Sequence, residues 1–238
     1  MTRSYVIARR ELSGYFYSSI AYVAMALFLL ASGFVFCNDL EPQRPAEMRN
    51  TFDWMIWLLV FVVPVICMGS IAQEWASGTM ETMMTAPVSD GEVVLGKYLG
   101  ALSFVLVLLA PTLVYPVILR LFGRPDWGAV VSGYLGIILA ASLFVAVGLF
   151  CSALTRSQVV AAVLGATILF AVTVVPWWIS SKATLPTFWR GVVNQAVHAR
   201  YADFSRGVID TGNIIFFLVV TGVFLFLTVK VLESRRWK

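Results

Sequence analysis

Few residues of this 238-residue chain have the type and spacing to do chemistry, and each fails a test of context. Gly91-Glu-Val-Val-Leu-Gly-Lys97 matches the first seven positions of a phosphate-binding loop, yet Tyr98 stands where a Ser or Thr would hold magnesium. Such a loop must also join a strand to a helix, and this run opens an apolar helix instead. His198 is the only histidine, with no cysteine or carboxylate cluster near it in sequence to complete a metal site. Cys37, Cys67 and Cys151 have no paired spacing and read as small apolar residues. No long apolar block holds a histidine, which excludes an intramembrane serine protease, or an acid or base, which leaves ion-coupled transport without a relay.

The segment with pattern is Gln73 to Glu92. Gly78 can break a helix arriving from the N-terminal side, and Pro87 stops whatever follows. Between them 79–86 reads as about two turns of helix lying along a membrane. Met80, Met83 and Met84 share one face of it, Glu81 and Thr85 another. Methionines suit a docking surface that adapts to a partner's groove, and they equally suit an interfacial helix among lipid headgroups. Ser89, with Glu92 three positions on, is a capping box that starts the next helix at about Asp90.

The elements that must position this segment follow from composition. The chain is 60% hydrophobic and 13% charged, against about 25% charged in soluble domains, and its mean hydropathy is +0.86. Six blocks lack every charged and amide residue: 20–37, 54–72, 98–119, 127–151, 159–179 and 214–229. At 16 to 25 residues each, they are close to the roughly 20 that a helix needs to cross hydrocarbon. The last extends to Leu232 if Lys230 snorkels. The fold class expected is all-α: one polytopic domain over 1–238 with six transmembrane helices, a coupling segment at 73–97 and an outer loop at 180–212.

The flanks of the first span set the orientation. Three Arg and one Glu precede it, while two Arg and four acids follow it, so the positive-inside rule puts both termini inside. Residues 1–19 read as an interfacial elbow helix, with Tyr5, Leu12 and Phe16 on its burying side and Arg9 snorkelling. The net charge of +4 anchors the chain to anionic lipid and is no nucleic-acid signature. Gly96 and Gly100 form a small-xxx-small contact that lets another helix approach. Trp54, Trp57, Trp177 and Trp178 read as an aromatic belt, and Pro64, Pro111, Pro116 and Pro176 as bends in the bundle.

Glu74-Trp-Ala-Ser-Gly-Thr-Met-Glu-Thr-Met-Met-Thr-Ala-Pro-Val-Ser-Asp-Gly-Glu-Val-Val-Leu-Gly-Lys97 resembles the segment between the second and third spans of ABC-2 type permeases, with Ala86 as a one-residue departure before Pro87. Arg10-Glu-Leu-Ser-Gly-Tyr-Phe16, Leu154-Thr-Arg-Ser-Gln-Val-Val160, Phe204-Ser-Arg-Gly-Val-Ile-Asp210 and Leu232-Glu-Ser-Arg-Arg-Trp237 look like the gliding-motility type of that family. The resemblance implies a permease subunit of an ATP-binding-cassette transporter in the bacterial inner membrane, with no catalysis of its own. Its expected partners are separate ATPase chains that bind ATP and Mg, a second permease subunit, and membrane lipid. Glu74, Gly78, Thr79, Met80, Glu81, Met83, Met84, Thr85, Pro87 and Ser89 would then form the element that docks on the ATPase. A rival within the resemblance is a mechanical transmitter acting on a periplasmic-domain partner without passing a solute.

Overall fold

A computed structural model of the chain describes residues 3–40, 47–79, 89–123, 125–180 and 196–236. Among the described residues every regular element is a helix: α1 (Arg3–Tyr17), α2 (Ser19–Asp39), α3 (Arg49–Cys67), α4 (Ala72–Ser77), α5 (Asp90–Leu109), α6 (Val114–Phe122), α7 (Trp127–Leu154), α8 (Gln158–Ser180), α9 (Val197–Ser205) and α10 (Thr211–Arg236). Six stretches are long and apolar enough to cross a membrane: α2, α3 with α4, α5 with α6, α7, α8 and α10.

The central helix is α7. Over an apolar 18-residue stretch of that span 83% of the residues are buried, against 17% in α10 and 22% in α8. Its glycines make this possible, because a Cβ on Gly136 would lie 2.7 Å from Cβ of Phe204 in α9, and one on Gly148 would lie 2.8 Å from Cβ of Cys67 in α3. Without side chains there, neighbouring helices approach closely. The peripheral α2, α8 and α10 turn Leu30, Phe34, Val159, Val163, Leu218 and Phe226 outward, as expected of helices solvated by lipid.

Two of the six spans are jointed, and in both a side chain from α7 fills the backbone gap. In the third, a 3-10 turn at Ala110–Leu113 separates α5 from α6. Pro116 has no N–H to give the carbonyl four residues before it, that of Thr112. The Tyr134 hydroxyl donates to that carbonyl instead, at 2.7 Å. In the second, the helix breaks after Cys67 and resumes at Ala72. Ser152 Oγ accepts from the backbone N–H of Ile71 at 3.1 Å and of Ala72 at 3.0 Å, and donates to the Met68 carbonyl at 3.0 Å. These pairings satisfy groups that burial would otherwise leave orphaned.

The N-terminal helix packs one face on the bundle and leaves another open. Tyr5 is 56% and Phe16 38% exposed, whereas Ile7, Leu12 and Tyr15 pack on the core. The cause is the surface it meets, the glycine pair of α5. A Cβ on Gly96 would lie 2.6 Å from Ile7 Cβ, and one on Gly100 2.6 Å from Glu11 Cβ, so both glycines hold open the groove in which α1 lies. Tyr15 stacks on Phe104 of α5 with ring centres 5.1 Å apart.

Candidate functional site

The end of the bundle that carries α1, α4, the start of α5 and the C-terminus of α10 contains a buried cation. Lys97 follows Gly96 on the first turns of α5, and its side chain is 0% exposed. An ammonium in that position has lost its hydration and persists only if all three donors are met. Nζ donates to Glu11 Oε1 at 2.7 Å and to the Ser70 carbonyl at 2.7 Å, and forms an ion pair with Glu74 Oε1 at 2.8 Å. One lysine therefore ties α1, the break in the second span, and α4 to the third span.

Two carboxylates share that ammonium, so the cluster has a surplus negative charge. Arg10 offsets it from the surface, with a guanidinium nitrogen 3.6 Å from Glu74 Oε1 and a side chain 67% exposed. At that exposure the pair contributes little on its own. Burial pushes the Tyr15 phenol well above its ordinary value, with Cys67 and Glu11 adding to the effect, so the ring stays neutral beside the acids.

From Glu74 the chain leads to the patterned segment. Gly78 ends α4 in the left-handed conformation, φ 72°, which any side chain would strain. The Ser77 and Thr79 hydroxyls meet at 2.9 Å, and each also lies 3.4 Å from the Glu74 carbonyl, which accepts from them. Residues 80–88, and with them Met80, Glu81, Met83, Met84, Thr85 and Pro87, lie outside the described residues. The chain returns at Ser89, whose Oγ accepts from the Glu92 N–H at 3.3 Å while Glu92 Oε2 accepts from the Ser89 N–H at 3.0 Å. That reciprocal cap starts α5 at Asp90, so Ser89 stands about two turns from Lys97.

The C-terminal helix joins the same end. Arg235 donates to the Leu154 carbonyl at 2.6 Å, closing the last turn of α7, and its guanidinium lies 5.4 Å from the Trp75 ring of α4. Of the residues singled out in sequence, the structure thus brings Glu74 into the cluster, hangs Gly78 and Thr79 from it, and places Ser89 at the head of the helix that supplies Lys97. Sequence reasoning missed the roles of Lys97 and Glu11, counting both as flanking charges. The signal was the glycine pair at 96 and 100, which requires a neighbouring helix against the same face of α5.

At the opposite end, His198 on α9 is 8% exposed. It sits between Trp57 and Trp177, with ring centres 5.7 and 6.1 Å away. It lines a cavity of about 430 Å³ with Asp53, Arg49 and Arg206. Burial also raises the Tyr201 phenol well above its ordinary value, with Asp53 contributing. Among the described residues no three metal-ligating side chains converge.

Comparison with known proteins agrees with this architecture. No curated protein matches the chain. The family model for ABC-2 family transporter protein matches residues 5–232, from the first turn of α1 to the last turns of α10. It covers the six apolar spans and every member of the ion-pair cluster, and it implies an ABC ATPase partner and dimerisation in general. The chain therefore belongs to the ABC-2 transporter family, as a multi-pass membrane permease subunit of an ABC transporter.

Proposed function

We propose that this chain forms, with a second permease copy or a different permease chain, the membrane part of an ATP-driven exporter of the bacterial inner membrane. Both termini face the cytoplasm, and the segment 73–97 receives the stroke of two separate ATPase chains. The single observation that carries this reading is the threefold tie of Lys97 to Glu11, Ser70 and Glu74. A push on 79–89 reaches α4 through Gly78 and α5 through Ser89. Because Lys97 binds both helices and α1, the three move as one body, and the second and third spans tilt with them. A loose connector would absorb the push. Within this reading Met80, Met83 and Met84 form the face that docks on the ATPase, and Glu81 and Thr85 contact it from the side.

The test is purification from the native membrane with every bound subunit identified, followed by ATP turnover with and without candidate solutes. A copurifying ATPase whose solute-stimulated turnover is lost in Glu81→Lys supports the reading. Absence of any ATPase, or turnover indifferent to Glu81→Lys, refutes it. Turnover that ignores every solute, with a large periplasmic protein in the complex, would instead mark a mechanical transmitter.

A further inference from the structure

Tyr98, which stands where a phosphate-binding loop would hold magnesium, makes a polar contact outside the Lys97 cluster. It is 9% exposed, and its hydroxyl donates to Ser142 Oγ of α7 at 3.0 Å. Ser142 Oγ in turn lies 3.4 Å from Thr221 Oγ1 of α10. Three hydroxyls from three spans thus form a chain inside the apolar bundle, with Ser142 7% and Thr221 5% exposed.

Ser and Thr have a simpler option in a membrane helix, which is to bond a carbonyl of the preceding turn. Ser32, Ser103, Ser132 and Thr228 do so, at 2.6–3.3 Å. Ser142 and Thr221 face one another and Tyr98 instead, and the local bond is open to both when the chain parts. Tyr98 has no such retreat. Its ring holds the hydroxyl away from its own backbone, and Val94, Ala101 and Val105, beside it on the same face of α5, are buried and apolar. Leaving Ser142 strands the Tyr98 hydroxyl among hydrocarbon, so the cost of opening the chain sits on that one residue.

The contact is sensitive to movement of α5. The third span bends at the 3-10 turn that begins at Ala110. Along the helix Tyr98 lies roughly 18 Å from that turn and Ser89 roughly 31 Å. A hydrogen bond between hydroxyls is lost once the oxygens part by about 1 Å, which a swing away from α7 reaches when Ser89 has moved about 2 Å. We infer that the Tyr98–Ser142–Thr221 chain is a latch, which holds the inner part of the third span against α7 and α10 and releases at the start of any such swing. It belongs to the permease bundle alone, so it stands or falls separately from coupling to an ATPase.

The test is double electron–electron resonance on the full chain in nanodiscs. Nitroxides are placed on Leu95→Cys of α5 and Val159→Cys of α8, both exposed, in a Cys37→Ser background that leaves the buried Cys67 and Cys151 unlabelled. The parent is expected to show one dominant distance and a minor second one. Tyr98→Phe keeps the ring, removes the hydroxyl, and should raise the minor population roughly three- to tenfold, the worth of one interhelical hydrogen bond in a membrane. Ser142→Ala gives the same rise, and the double variant no more than either, because all three remove one bond. Thr221→Val gives a smaller rise. Tyr134→Phe, which removes a hydroxyl bond from α7 to the outer joint, leaves the distribution unchanged. An unchanged distribution in Tyr98→Phe, or additive effects of Tyr98→Phe and Ser142→Ala, overturns the inference. So does an equal shift in Tyr134→Phe, which would mark general loosening around α7. If Ser142→Ala does not fold, the contrast between Tyr98→Phe and Tyr134→Phe decides.

Discussion

Lys97 is the residue whose substitution separates charge from packing. Lys97→Met keeps most of the volume but leaves Glu11 and Glu74 facing each other in a site 13–14% exposed. The expected loss is about 3–5 kcal/mol, the usual cost of stripping one partner from a buried pair. Adding Glu11→Gln and Glu74→Gln to Lys97→Met should recover most of it, since an uncharged cluster has no desolvation to offset. Melting temperatures in detergent measure both, and a single variant as stable as the triple would refute the account. The buried tyrosines make a second prediction. Tyr15 and Tyr201 hold their protons above the ordinary value of 10, so their contribution is intact below pH 10 and is lost as pH rises beyond it, when only the unfolded chain ionises. Tyr15→Phe and Tyr201→Phe should each flatten the fall in melting temperature above pH 10 and leave its value at neutral pH less affected. These residue-level features were poorly legible in the sequence. Lys97 and Glu11 are 86 positions apart and border apolar blocks, where a charge normally faces water, so their meeting depends on a helix–helix contact whose partner no local pattern names.

At the scale of elements, the contact between α1 and α5 rests on Gly96 and Gly100. Gly100→Leu places a side chain where Glu11 Cβ and the Ala8 carbonyl already lie, at 2.6 and 3.0 Å from the first added carbon. Backbone cannot yield cheaply, so α1 should leave its groove at a cost of about 1–3 kcal/mol. Protease cleavage near Ser18, compared with wild type, reads the release. Unchanged protection would mean that Lys97 alone holds the helix. This contact was half legible. The spacing of the two glycines announced a close neighbour, and the capping residues Ser89 and Glu92 announced the start of α5. The identity of the neighbour was hidden because Tyr5, Leu12 and Phe16 form an apolar stripe of the right period, whereas the face buried includes the charged Glu11. The short helix α9 was obscured for a related reason, since Arg200 and Asp203 flank the fully buried Tyr201 and Phe204, and Asn213 Nδ2 reaches Asp203 at 2.9 Å.

For the whole molecule, burial falls from α7 outward, and that order is measurable. A photoactivated lipid-phase label should modify α2, α8 and α10 heavily at Phe34, Val163 and Leu218 and spare α7 at Phe144. Strong labelling of Phe144 would contradict the central position of that helix. The six spans themselves were almost fully legible, because hydrocarbon excludes charge and the chain obeys that exclusion over every block. Their internal joints were legible only as prolines. Pro116 showed where the third span could bend, whereas Pro64 sits inside α3 and the break of the second span comes after Cys67, and neither showed that Tyr134 and Ser152 of α7 take up hydrogen bonds at the joints.

The joint at Ala110–Leu113 divides the third span unequally. Below it α5 is a rod of 20 residues, about 30 Å long, rooted in the Lys97 cluster. Above it α6 is a stub of 9 residues whose base is held by Tyr134. Bending in a helix concentrates where its own hydrogen bonds are missing. The third span therefore resembles a crank pinned near its far end. Its long arm also meets α7, where the Tyr98 hydroxyl donates to Ser142 Oγ at 3.0 Å, so a swing of that arm with the terminal cluster must break this bond while the short arm stays with α7 and moves less.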